Sequence, residues 1–245
     1  MYTVLAILAH PDDMEIACGG TLLKCKERGD RVVSCYLCSG SMGHVVIMPN
    51  ELRGIRAAEA KKSADMGGFE VIAGGFEDLD LYETKEARDR VVDIIRRVDP
   101  DFIITHAPND YMSDHTATSK LVFDAAFSAT CPHYETEVTE VARMVPIFYA
   151  ETSNGIDFNP TEYVDITPFM ETKLEMARCH ASQVQWLYDH DGVDFIEQVR
   201  IGSKYRGYQC GVTYAEGFTQ CRTDMRLSAK RYDWDKCLIA LGGLC

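Results

Sequence analysis

The chain has 245 residues, of which 46% are hydrophobic and 26% charged, and a formal net charge of −13. Those proportions exclude a disordered chain or a small disulfide scaffold and leave room for a sizeable core in one domain. The acidic excess, with no Lys/Arg-rich run, argues against a nucleic-acid partner, and no apolar run reaches the roughly 18 residues of a membrane span. The N-terminus lacks the basic leader of a secretory signal, so the ten cysteines are expected as reduced thiols in the cytoplasm.

Short apolar runs alternate with segments of helical period, the pattern of β-α units building a mostly parallel sheet. Residues 3–9 read as the first strand, 15–28 as one helix stopped by Gly29 and Asp30, and 31–38 as the second strand. Cys35 and Cys38 form a C-x-x-C there, but an extended chain points residues three apart to opposite faces, so both read as small buried hydrophobes. The loop "SGSMGHVVIMPN" follows, with Asn50 as the N-cap of a helix ending at Gly67 and Gly68. Residues 70–73 form a short strand. "TKEARDRVVDIIRRVDP" is an amphipathic helix with Val91, Ile94, Ile95 and Val98 on one face, closed by Pro100. "DFIITH" is a strand, "APNDYMSD" a polar loop, "HTATSKLVFDAAFSA" a helix and "VPIFYAE" a buried strand. The last third is less regular: "YVDI" is a short strand, 168–188 and 193–205 are helical, and "YAEGF" closes the fold.

In open α/β sheets the ligand crevice lies outside the carboxyl ends of the strands. His10, Pro11, Asp12 and Asp13 follow the first strand, residues 39–50 the second and residues 106–115 "DFIIT", so three loops meet at one rim. Taken alone, "HPDD" is equally a polar turn with favourable helix-capping charges. "NDYMSDH" changes that balance by bringing Asp110, Asp114 and His115 from a distant part of the chain. A catalytic zinc site wants about three such ligands and one open position. With Pro11 stiffening the turn, His10 and Asp13 converge with His115 on a metal while Asp12 projects toward the open position as the base. A metal of this kind lowers the pKa of bound water from about 15.7 to near 7, and the reaction class is metal-assisted hydrolysis. An Fe(II) oxygenase triad uses the same ligand types; the close H-x-x-D pair on an α/β pattern favours the hydrolase.

"AHPDDMEIACGGTLLKCKERGDRV", "RAAEA", "NDYMSDHTATSKLV", "FYAET", "YVDIT", "KLEMARCHASQ" and "YAEGF" together resemble the LmbE-like family of N-acetylglucosaminyl deacetylases, which includes the PIG-L enzymes, over nearly the whole chain. The resemblance implies a single Rossmann-like α/β domain over residues 1–245, a mostly parallel sheet with helices on both faces. It implies His10, Asp13 and His115 as zinc ligands and Asp12 as general base; on the ligand types alone, Fe2+ is the alternative metal. Arg56, with Glu59 three residues on, corresponds to the family's substrate-contacting arginine, and Asp78 is a candidate for sugar hydroxyls. The implied substrate is an N-acylated amino sugar or glycoside, and a homo-oligomer is compatible with the family. His180 and Gln183 in "CHASQ" are candidates to line the pocket. One position departs from the family: Met112 stands where its H-P-D-H motif has a first His that helps stabilise the oxyanion, supported by the Asp that corresponds to Asp114. Met112 cannot donate such a hydrogen bond. Tyr111, His106 and His44 are the candidate replacements, and a metal-retaining binding protein without turnover is the alternative that Met112 motivates.

Overall fold

In the computed structural model of the chain, β1 (Thr3–Leu8) sends Val4, Ala6 and Leu8 into one core and Leu5 and Ile7 into another. A strand buried on both faces belongs in the middle of a sheet covered by helices on each side. The described residues are 1–223 and Arg226; the remainder of the expected 1–245 domain lies outside them. β2 (Arg31–Cys38), β3 (Glu70–Phe76), β4 (Phe102–His106), β5 (Ile147–Ala150), β6 (Glu162–Asp165) and β7 (Ala215–Gln220) complete a seven-stranded sheet of order β3-β2-β1-β4-β5-β7-β6. The first five strands pair in parallel, and β7 runs antiparallel to both of its neighbours. The order reverses between β1 and β4, so the crevice opens where the loops after these two strands part.

One face is covered by α1 (Asp13–Ala17), α2 (Gly19–Glu27), α3 (Pro49–Gly67), α6 (Met170–Arg178) and α8 (Phe195–Cys210). The other face carries α4 (Lys85–Val98) and α5 (Ser113–Ser128). α4 buries Val91, Ile94, Ile95 and Val98 as its period requires, and the Thr84 side chain caps it by accepting from the Ala87 N–H at 3.1 Å. α7 (Ala181–Asp191) borders α3. No described helix is long and apolar enough to cross a membrane.

Several expectations are corrected. The helix expected over 15–28 is two, broken at Cys18 with φ −150° and ψ 8°. The break lets the Glu216 carboxylate accept from the Gly20 and Thr21 N–H groups at 2.8 and 2.7 Å, capping α2 from 195 residues away. A Cβ on Gly20 would lie 2.8 Å from Ile166, so the approach needs glycine. Asn50 does not cap α3; Met48 is the N-cap and Pro49 opens the helix, where a missing N–H costs nothing. The helix expected over 168–188 is likewise divided, with non-helical His180 heading α7. Cys35 and Cys38 face the same core because a bulge between Tyr36 and Cys38 shifts the register against β3. Neither takes part in a disulfide.

Candidate active site

The turn after β1 is tight. His10 N–H donates to Asp13 Oδ2 at 2.6 Å, Asp13 N–H returns to the His10 carbonyl at 3.3 Å, and Pro11 bridges them. Asp12, between the two, adopts φ 113°, a region that side chains other than glycine's enter at a cost. The turn thus splits the adjacent carboxylates. Asp13 points at His10 and His115, while Asp12 lies with Oδ2 3.0 Å from Arg56 Nη2.

His10, Asp13 and His115 are buried and offer ligand atoms all within 4.8 Å of one another. Each imidazole has one nitrogen toward Asp13 and the other toward a further carboxylate. His10 Nδ1 is 3.4 Å from Asp13 Oδ2 and its Nε2 is 3.1 Å from Asp114 Oδ2. His115 Nε2 is 3.5 Å from Asp13 Oδ1 and its Nδ1 is 3.3 Å from Asp110 Oδ1. Carboxylates behind metal-binding imidazoles fix ring orientation and raise ligand basicity. Burial opposes a charge on His10, but hydrogen bonds to Asp114 and Asp13 outweigh it and raise the group to about 9. His115 is opposed by burial in the same way and lifted to about 10 by the field of Asp13 and by Asp110. Burial pushes the Asp13 carboxyl up, and the imidazoles of His115, His106 and His10 more than reverse this, holding it well below the usual range.

The residues fit a divalent cation on the chemistry of the donor set, and Asp110 Oδ2 and Asp114 Oδ1 beside the imidazoles are buried without hydrogen-bond partners. Two further groupings within the same cluster, His10 with Cys38 and Asp114 and His106 with Asp110 and His115, are poorer. Asp114 is already held by the Leu79 N–H at 2.8 Å, and Asp110 by the Met112 N–H at 3.1 Å. Burial drives the Cys38 thiol far above its usual range, so no thiolate is at hand.

The remaining sequence candidates divide. His106 is buried, its ring stacked on His115 at 3.9 Å and its Nε2 accepting from the Ala9 N–H at 2.9 Å. The same Nε2 lies 3.2 Å from Asp13 Oδ2, so His106 braces both the turn and the Asp13 carboxylate, and burial and the charge of His115 lower its pKa. His44 accepts from the Val46 and Ile47 N–H groups through Nδ1 and packs on Trp186 with centroids 4.9 Å apart, so it serves its own loop. Tyr111 is exposed, with its ring centroid 6.2 Å from that of His115. Arg56 is buried and donates to the carbonyls of Pro11 and Gly40, and Asp78 is buried and accepts from the Gly40 and Met42 N–H groups at 2.6 and 2.8 Å. Both expected substrate contacts therefore hold loops together. Gln183 donates to the Gly43 carbonyl at 3.1 Å, and Arg53 pairs with Glu77 at 2.7 Å.

Glu15 was not foreseen. It is fully buried behind Asp12, accepts from Ser63 Oγ and lies 3.2 Å from His180 Nε2. An acid in the first turn of an otherwise apolar helix was its only sequence signal. Burial raises the Asp12 carboxyl, with Arg56 as the principal counterweight.

This geometry has relatives. The chain matches the family described as "PIG-L: GlcNAc-PI de-N-acetylase" over residues 5–126. It is 32% identical over 221 residues to the diacetylchitobiose deacetylase of Thermococcus kodakarensis, spanning 87% of this chain and 81% of that protein. It is 25% identical over 196 residues to the 4-oxalmesaconate hydratase of Pseudomonas putida, spanning 76% of each. The structure of the N,N'-diacetylchitobiose deacetylase from Pyrococcus horikoshii superposes with a TM-score of 0.81 and 25% identity, covering 94% of this chain and 89% of that one. With a β1 turn that splits its carboxylates and a β4 loop that returns His115 to them, the chain belongs to the PIG-L family.

Proposed function

We propose that the protein is a zinc-dependent hydrolase that removes an acetyl or other acyl group from the nitrogen of an amino sugar or glycoside. The observation that carries this reading is the divided turn: His10, Asp13 and His115 converge on one point, and Asp12 stands beside it on a buried arginine. His10, Asp13 and His115 would hold the ion. When bound, zinc supplies a Lewis acid for the amide carbonyl and lowers the pKa of the attacking water.

Asp12 takes the proton from that water. Its Oδ2 is engaged by Arg56, which leaves Oδ1 to carry the proton and deliver it to the departing amine. Burial makes the carboxylate a stronger base than an exposed aspartate, and Arg56 keeps it ionised. Asp114 and Asp110 hold the two imidazoles in orientation. With His106 Nε2 taken up by the Ala9 N–H and Asp13, and His44 committed to its own loop, Tyr111 is the candidate left to donate to the oxyanion in place of the imidazole that Met112 replaces. The relatives that deacetylate N-acetylated sugars support the substrate class.

The test is release of free amine from a panel of N-acylated amino sugars and conjugates by zinc-loaded protein. Amine release that needs stoichiometric metal supports the proposal. Binding of such ligands with no release from any of them would leave a binding protein and defeat it. A second reading, favoured by the hydratase relative, is addition of water across a conjugated double bond by the same base. Loss of alkene absorbance without amine release would mark it.

A further inference from the structure

We propose that the amino sugar recognised here carries an uncharged, apolar aglycone, seated on a collar of exposed hydrophobic side chains around the mouth of the metal centre. This rests on the hydrolase reading for what sits at the metal, and on the rim for what lies beyond it.

Three loops form that rim. The loop between β2 and α3 exposes Met42, Val45, Val46 and Met48, with Val46 76% accessible. The loop after β3 exposes Leu79 at 61%, and the loop after β4 exposes Tyr111 at 76%. Met42, Leu79 and Tyr111 are tied to the site by contacts, and Val45, Val46 and Met48 lie on the same loop as Met42. Leu79 N–H donates to Asp114 Oδ2, the oxygen that also meets His10 Nε2. Met42 N–H and Gly40 N–H share the carboxylate of Asp78, next to Leu79 in sequence, so the first two loops are fastened together. The Tyr111 ring stands edge-on to His115.

Two features make this more than chance exposure. Leu79 has φ 64°, a left-handed conformation that a leucine adopts at a cost, and its bond to Asp114 maintains that conformation at the rim. Two polar groups that would otherwise greet a hydrophilic sugar chain face inward: Arg56 and Asp78 are 3% and 6% accessible, Arg56 held by the Pro11 and Gly40 carbonyls and by Asp12, and Asp78 by the Gly40 and Met42 N–H groups. Exposed apolar side chains on the three loops that flank a polar floor suit a ligand that is polar at one end and apolar at the other.

Charge narrows the class further. No Lys or Arg occurs in residues 39–50, 77–82 or 107–115, and the chain carries a formal charge of −13. Arg53, which borders these loops, is already paired with Glu77 at 2.7 Å, so a phosphate or carboxylate on the aglycone would have to displace that carboxylate and would meet the field of the whole protein. The acyl group, by contrast, sits at the buried floor beside His115. The collar therefore reads the sugar's other substituent.

The experiment compares methyl, hexyl and 5-carboxypentyl glycosides of N-acetylglucosamine with zinc-loaded protein, measuring acetate release and, by calorimetry, binding to the Asp12→Asn variant. The expected result is a KM at least about tenfold lower for hexyl than for methyl, the gain from covering about two methylene groups, and loss of that gain for the carboxylate. Val45→Ser combined with Val46→Ser should bring the hexyl-to-methyl ratio toward 1. Acetate release with equal KM and equal binding for hexyl and methyl overturns the collar and leaves the hydrolase reading standing. Equal values together with a change of oligomeric state in Val46→Asp would assign the rim to a second copy of the chain, also overturning it. Tighter hexyl binding with no acetate released supports the apolar mouth and defeats the hydrolase reading instead.

Discussion

Two buried charged clusters meet at the opposite ends of α1, and they differ in how completely they are closed. At one end Lys173 and Glu216 pair at 2.7 Å. The ammonium also donates to the Ile16 carbonyl at 3.0 Å and to Ser203 Oγ at 3.2 Å, while the carboxylate receives the Gly20 and Thr21 N–H groups. At the other end, around Asp13, Asp110 Oδ2 and Asp114 Oδ1 have no partner, and Asp12 and Leu79 hold positive φ. Both clusters are costly to bury. At the Lys173–Glu216 pair every hydrogen-bonding position of the two charges is satisfied. The open positions and positive φ gather instead beside the residues proposed to hold a metal.

Substitutions can break that contrast. The largest effect is expected at Asp12. Asp12→Asn keeps a residue tolerant of positive φ but cannot take a proton, so turnover should fall by about 10²- to 10⁴-fold with metal content unchanged. His115→Ala should lose metal and turnover together; metal analysis beside the rate separates the two roles. Next is Lys173→Met, which strands Glu216 in the core and should cost about 3–5 kcal/mol of stability in denaturant titration, with kcat/KM of the folded fraction unaltered. A large loss of activity there would show that the closed cluster is not purely structural. Asp110→Asn should weaken metal binding about 10- to 100-fold, read by competition with a chelator, without a comparable loss of stability. The smallest effect is expected for Tyr111→Phe, about tenfold in kcat with KM little changed, because the hydroxyl stands at the solvent edge. No change would remove Tyr111 as the oxyanion donor.

The legible part of the site was its local part. "HPDD" directly after an apolar run, and "DH" after "DFIIT", announced a strand end followed by chemistry, and the crevice rule joined them. Asp12 and Asp13 could be assigned separate roles because a tight turn must point consecutive side chains apart, as it does here. Arg56 and Asp78 were harder. Their residue types suit substrate contact, yet their direction is set by the carbonyls and N–H groups of other loops, which no local pattern records. The breaks at Cys18 and His180 were missed for a similar reason. Residues 15–28 and 168–188 have good helical period, but Glu216 supplies a competing partner at the first break and Glu15 lies beside His180 at the second.

By itself the sequence determined the alternation of strands and helices, the two loops that carry His10, Asp12, Asp13 and His115, and the acidic, cation-poor character of the chain. Those are properties of short segments, set by side-chain period, turn chemistry and charge. Only the tertiary structure decided which polar groups face inward and which hydrophobic ones stay exposed. It brought Asp110 and Asp114 behind the two imidazoles, turned Arg56 onto Asp12 and left Val46 and Leu79 in solvent. The physical reason is that a buried polar group takes whichever partner the packed loops bring within about 3 Å, and that partner is a fact of three dimensions.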